Sequence, residues 1–199
     1  MDEICLDIEW DKLKFLLRDG LDDLARAHWR EVGVHQDEIP YAPDYEKFQE
    51  LEDAGMFRIL SVRKDDLLIG YSGFMIQPHL HYKTKLHALN DVIYVDKAER
   101  GYPGIRLILE AENKLIAMGI RRILYHSKTD LKLGSGIKGA QIDSMDALND
   151  ALDLEVPENV EISDALFHKI AVGDATLGDI LEVLGYCKFE TVYDKIVGI

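Results

Sequence analysis

The chain has 199 residues, enough for one domain with a sizeable core, and its 47% hydrophobic and 30% charged residues are ordinary for a globular protein. Its 37 acidic against 23 basic side chains give a formal net charge of −14. That charge repels phosphate backbones and excludes nucleic acid as an expected partner; it suits a basic substrate, and it equally serves solubility.

No apolar run approaches the length of a membrane span, and residues 1–7 are acidic where a signal peptide is basic. The two cysteines, Cys5 and Cys187, read as buried thiols, and His79 and His81 have no partnering pair at zinc-site spacing. A single cytoplasmic domain over residues 1–199, with no metal, is expected.

Apolar residues at helical spacing (Leu13, Leu16, Leu17, Leu21, Leu24, Ala25, Trp29) predict helix over residues 13–29, broken at Gly20. Residues 33–43 read as loop. Residues 44–55 predict a second helix, capped by Asp44 and stopped by Gly55. Three strands follow at 57–62, 67–76 and 89–95. The first two are joined by a turn at Lys64, Asp65 and Asp66, and the last two by a longer loop rich in His and Lys.

The most informative stretch comes next. Val92, Ile93 and Val95 form a β-branched run around Tyr94, and Arg100, Gly101, Tyr102, Pro103 and Gly104 break it. From Ile105 the apolar residues recur at helical spacing (Leu107, Ile108, Leu109, Ala111, Leu115) up to Gly119. A strand that feeds a glycine turn into a helix start presents unpaired N–H groups at the positive end of a helix dipole, an arrangement that binds phosphate. A strand over 122–126 follows.

This strand-turn-helix resembles motif A of the GCN5-related N-acetyltransferases (GNATs). Counted from Arg100, the glycines Gly101 and Gly104 are displaced by one residue from that family's spacing, and Pro103 removes one N–H donor. The resemblance extends to the strand at Gly70, Tyr71, Ser72, Gly73 and Phe74, to Leu184, Gly185 and Tyr186 at a C-terminal helix end, and to a last strand over 191–197. The run Pro78, His79, Leu80, His81, Tyr82 is most like phage-encoded homologues.

The resemblance implies an α/β fold, a mixed twisted sheet of about six or seven strands with helices on both faces. Its central parallel pair, 89–95 and 122–126, is expected to splay apart. It also implies acetyl-CoA as donor substrate, with pantetheine along Ile93, Tyr94 and Val95 and pyrophosphate on the N–H groups of Arg100, Gly101, Tyr102, Gly104 and Ile105. The acceptor is then an amine, on a small molecule, a protein lysine or an N-terminus.

Acetyl transfer from a thioester needs an amine at the carbonyl, a donor for the developing oxyanion and an acid for the leaving thiolate. A strand N–H of Ile93, Tyr94 or Val95, with Tyr94 central, is the expected oxyanion donor. Asp91 reads equally as the base and as a solvated strand-end charge. Glu31 and Glu38 lie on the expected acceptor wall, where surface acids are abundant. The family's tyrosine acid falls at Leu181, and its helix-start asparagine near Asp174; Tyr186 and Tyr193 read as aromatic packing.

His79, His81, Tyr82 and His87 cluster before the central strand, as a base, a loop beside the cleft or a sheet edge. Arg121, Arg122 and Lys128 flank the second strand of the pair, toward a 3′-phosphate or toward solvent. These departures keep open a second function, a catalytically silent fold used for binding, as a virion or interaction component.

Residues 130–172 read as an insertion opened by Gly134, Gly136 and Gly139. Ile142, Met145, Leu148 and Leu152 recur at helical spacing against Asp143, Asp146, Asp150 and Asp153. That stripe is expected either to pack on its own domain or to form a homo-oligomeric or partner surface.

Overall fold

The computed structural model describes residues 6–79, 81–126, 176–183 and Tyr186. In chain order the elements are β1 (Leu6–Asp11), α1 (Leu13–Arg18), α2 (Leu21–Val32), α3 (Tyr45–Asp53), β2 (Phe57–Lys64), β3 (Leu67–His79), β4 (Tyr82–Val95), α4 (Tyr102–Ala117), β5 (Arg122–Leu124) and α5 (Leu177–Val183). The described strands form one mixed sheet in the order β1-β2-β3-β4-β5, antiparallel up to β4 and parallel between β4 and β5. The insertion over 130–172, the expected last strand, Asp174, Tyr193 and Lys128 lie outside the described residues.

Alternation along the strands divides the core in two. One face packs Leu60, Val62, Ile69, Phe74, Ala88 and Val95 against Leu107, Ala111 and Leu115 of α4. The other packs Phe57, Ile59, Leu68, Tyr71 and Tyr94 against Leu13, Leu16 and Leu21 of the N-terminal helices. Helices therefore cover both faces.

The helix boundaries have local causes. Gly20 takes φ 97° and separates α1 from α2. The Asp44 side chain accepts from the Lys47 N–H at 2.9 Å and caps α3, while Gly55, at φ 73°, follows its end. α1 has no side-chain cap of its own. Buried Glu52 of α3 supplies one across space, accepting from the Leu13 N–H at 3.0 Å.

Three features differ from the sequence reading. Residues 6–11 form an edge strand, which their mixed polarity hides: the buried Ile8 stands among exposed or half-buried neighbours. The expected His/Lys loop is instead the continuation of a long hairpin, in which Gln77 pairs with His87 and His79 with Tyr82. His87 is buried in the sheet and pairs in register with Arg122, and the turn carrying His81 lies at the end of β4 remote from Val95. Last, α4 begins at Tyr102 rather than Ile105, because Pro103 in the first turn has its φ preset for helix and needs no N–H there.

Candidate active site

β4 is bent where the site lies. Gly73 pairs with Val92 and Phe74 with Asn90, so Asp91 is an extra residue, a β-bulge. The Asn90 side chain bridges the irregularity, donating to Gly73 O at 3.1 Å, Val92 O at 3.0 Å and Ser72 Oγ at 2.9 Å. Beside the bulge the parallel ladder with β5 stops: the register pairs His87, Ala88 and Leu89 with Arg122, Ile123 and Leu124 and goes no further. The strand expected over 122–126 thus ends at Leu124, and β4 beyond Leu89 has an open edge among the described residues.

The register decides which groups face that edge. The Asp96 N–H donates to Ile69 O of β3 at 2.8 Å. Alternate residues of an antiparallel ladder turn their N–H and C=O to the same partner, so Tyr94 and Val92 turn theirs to β3. Ile93 and Val95 turn theirs to the gap. The N–H of Tyr94, the expected oxyanion donor, thus turns toward β3, and those of the other two candidates, Ile93 and Val95, turn toward the gap. The Val95 carbonyl accepts from Arg100 Nε at 3.1 Å, while the N–H groups of Ile93 and Val95 and the Ile93 carbonyl have no partner among the described residues.

The turn after β4 is built by Asp96, whose Oδ1 accepts from the Ala98 N–H at 2.9 Å and whose carbonyl accepts from Glu99 at 2.9 Å. Gly101, at φ 108°, occupies backbone that L side chains avoid and starts α4 without a side-chain cap. The N–H groups of Gly104 and Ile105 both return to Gly101 O, at 3.0 and 3.3 Å, and Pro103 has none. At the helix start itself, the N–H groups without a partner among the described residues are those of Arg100, Gly101 and Tyr102. At Gly104 an added Cβ would meet only Val95 Cγ2, at 3.8 Å. The glycine thus leaves open surface at the helix start, room for a group held by those N–H donors, and a pyrophosphate fits that cradle.

A second cluster lies on the α1–α3 face; the sequence reading named its Glu31, Arg100 and Tyr94 but did not bring them together, and it assigned no role to His28, Asp22 or Tyr45. The Arg100 guanidinium forks onto the Glu31 carboxylate at 2.6 and 2.5 Å and lies 5.4 Å from the Tyr94 ring centre. That guanidinium holds the Glu31 carboxyl below the usual carboxylate range. His28 stacks on Tyr94 with ring centres 4.8 Å apart, and its Nδ1 is 3.2 Å from the Tyr71 hydroxyl. Nearby, the Tyr41 and Tyr45 hydroxyls donate to Asp22 Oδ1 at 3.0 and 2.6 Å. The Tyr45 bond, more than the others, lowers the Asp22 carboxyl. Only the helical spacing of His28 and Glu31, one turn apart on α2, hints at this cluster in the sequence.

Asp91 stands between the two regions. Its side chain reaches solvent at the rim, yet the surrounding protein raises its carboxyl above the ordinary value, with the charge of His126 pulling the other way. Leu181, at the family's acid position, is a core residue of α5 at 7% exposure. Glu38 is exposed in the loop before α3. No group of three or more metal-ligating side chains is assembled among the described residues, and no described helix is long and apolar enough to cross a membrane.

No family model and no curated protein matches the sequence. Solved structures do match. An aminoglycoside acetyltransferase from an uncultured soil metagenomic sample, in complex with trehalose, superposes with a TM-score of 0.51 at 18% identity, over 62% of this chain and 78% of that one. A second aminoglycoside acetyltransferase from such a sample gives 0.52 at 15% identity, over 81% and 97%. A predicted acetyltransferase with acetyl-CoA from Clostridium acetobutylicum gives 0.50 at 13%, over 80% and 96%. The fold is that of the GNAT acetyltransferases. The mixed sheet expected from the sequence is present, with five strands among the described residues.

Proposed function

We propose that the protein is an acetyl-CoA-dependent N-acetyltransferase acting on an amine. The observation that carries this reading is the open edge of β4, the Ile93 and Val95 N–H groups beside a departing β5, continuous with the donor turn at Arg100, Gly101 and Tyr102. An extended amide-bearing arm pairs with such an edge as an added strand does, and its phosphates meet a helix N-terminus. Tyr102, Gly104 and Ile105 contribute the first turn of α4, and Tyr94 contributes its ring rather than its N–H.

The amine then approaches from the α1–α3 face, where carboxylates and aromatic faces suit a cation. Asp91 removes its proton, and the N–H of Ile93 or Val95 meets the developing oxyanion. The strand-turn-helix and the structural relatives named above support acetyl transfer. The small-molecule acceptors of the aminoglycoside enzymes favour a small amine over a protein lysine. Phage origin, cytoplasmic location, a single domain and self-association through 130–172 belong to the same proposal and draw on sequence alone.

Calorimetry with acetyl-CoA, followed by thiol release with a panel of amines, tests the reading. Binding in the micromolar range with thiol release supports it. Binding without release by any amine favours the silent binding fold, and no binding at millimolar acetyl-CoA overturns the cofactor assignment.

A further inference from the structure

With leucine where the resemblance puts a tyrosine, α5 offers no acid there for a leaving thiolate. The structure contains a hydroxyl that packing does not explain. Tyr125 follows β5 directly, and its oxygen is shielded from solvent without a hydrogen-bond partner, the one such side-chain hydroxyl among the described residues. Phenylalanine would fill the same space without the cost of an unpaired buried polar group. The ring is held edge-on by Phe74 of β3, 5.9 Å between centres, and by Tyr186, 5.4 Å. Tyr186 in turn donates to Glu112 Oε2 of α4 at 3.3 Å.

Position gives this hydroxyl a use. The β4–β5 ladder ends at Leu89 and Leu124, so Tyr125 is the first residue beyond the last pair, at the apex where the strands part. The α4 start lies at the other end of the gap, beside Val95. Four residue steps along the strand separate Val95 from Asp91, about 13 Å. An arm anchored by its phosphates at Arg100–Tyr102 and laid along Ile93 therefore brings its acyl end to the apex, between the Asp91 bulge and Tyr125.

We propose that the Tyr125 hydroxyl is the proton donor to the sulfur of the acyl thioester lodged between β4 and β5. The assignment rests on the function proposed above. The amine nitrogen forms the new bond to the carbonyl carbon. The carbon–sulfur bond breaks with its electron pair on sulfur, and sulfur takes the Tyr125 proton. The proton shed by nitrogen leaves through Asp91 to solvent, and the phenolate regains a proton from the water that enters the gap between the strands as the thiol departs. Burial, together with the neighbouring Tyr186 and Glu112, raises the phenol above its ordinary value, so it is protonated at neutral pH.

The experiment needs no known acceptor. CoA is bound to the wild type, Tyr125→Phe and Tyr186→Phe, its affinity measured by calorimetry and its thiol titrated by thiolate absorbance in the ultraviolet. A donor at sulfur favours the thiolate, so the bound thiol in Tyr125→Phe titrates about one pH unit higher than in the wild type. CoA affinity stays within about twofold, and Tyr186→Phe behaves as the wild type. Identical titrations in the wild type and Tyr125→Phe, or an equal shift in Tyr186→Phe, overturn the assignment and leave the proposed function standing. Absence of CoA binding in all three proteins overturns the proposed function and this assignment with it.

Discussion

On the gap between β4 and β5 the groups offered to a ligand are main-chain N–H donors and the bare Gly104. On the α1–α3 face they are tyrosine hydroxyls, an imidazole and carboxylates. The first region is made by a continuous stretch, from Asp91 to Ile105. The second is made by pairs far apart in sequence: Asp22 with Tyr45, His28 with Tyr71, and Glu31 with Arg100 sixty-nine residues on. Main-chain donors select by geometry and tolerate any side chain that keeps φ and ψ. The side-chain cluster selects by chemistry and fails with single substitutions. Substitutions in each region should therefore separate donor-substrate binding from acceptor recognition.

The largest effect is expected at Asp91, between the two. Asp91→Asn keeps the shape of the bulge and removes the proposed base, so kcat is expected to fall by about 10²–10⁴ with acetyl-CoA affinity unchanged. Burial raises the Asp91 carboxyl, so the wild-type rate climbs as pH rises through that elevated value, and the variant lacks this limb. The stability sign is opposite to that of a paired carboxylate. A raised folded value means that ionisation opposes folding, so this group's contribution is present at low pH and lost as pH rises through the folded value. A pH–rate profile of both proteins checks the first point and thermal melts across pH the second.

Gly104→Ala separates ligand from fold. The nearest atom to the new methyl is 3.8 Å away, an ordinary contact, and alanine favours helix over glycine by about 0.5–1 kcal/mol. The melting temperature therefore holds or rises, while CoA affinity falls about tenfold if phosphates approach the helix start as proposed. Unchanged affinity by calorimetry would move the phosphates elsewhere.

The gap-facing region was legible because its determinants are consecutive: a β-branched run, Gly101, Pro103 and a helical repeat. Even there the alternation that turns Tyr94 toward β3 and Ile93 toward the gap needed the register, since a single bulge at Asp91 reverses which residues face which side. β1 was hidden because an edge strand with a single buried residue lacks an alternating pattern. The hairpin arm was hidden because Lys83, Lys85 and His81 make a two-stranded extension look like a loop. The cluster on the α1–α3 face left almost no trace, for nothing in residues 22–45 announces that Tyr41 and Tyr45 converge on Asp22.

That convergence supplies a smaller test. Asp22→Ala leaves two half-buried tyrosine hydroxyls without their shared acceptor, at a cost of about 1 kcal/mol. Acceptor KM is expected to rise with acetyl-CoA affinity unaffected, the converse of Gly104→Ala. Equal losses of both affinities would mean that the two regions act as one unit.

The smallest effect probes the ion pair that, among the described residues, joins the two regions. The Arg100 fork holds the Glu31 carboxyl below its ordinary value. With a depressed folded value, the stability contributed by Glu31 is fully present above the unfolded carboxylate range, about pH 4.3. It is lost as pH falls through the folded value. The pair is only partly shielded, with Glu31 about a quarter exposed, so its worth is about 1 kcal/mol and is screened by salt. Glu31→Gln is therefore expected to lower the melting temperature by a few degrees at pH 7. The difference between the two proteins narrows as pH falls below that range and vanishes only below the folded value, where Glu31 loses its charge. A constant difference between them across pH 3–7 would mean that Glu31 matters for packing alone, and that Arg100 is positioned by Val95 and the Tyr94 ring without it.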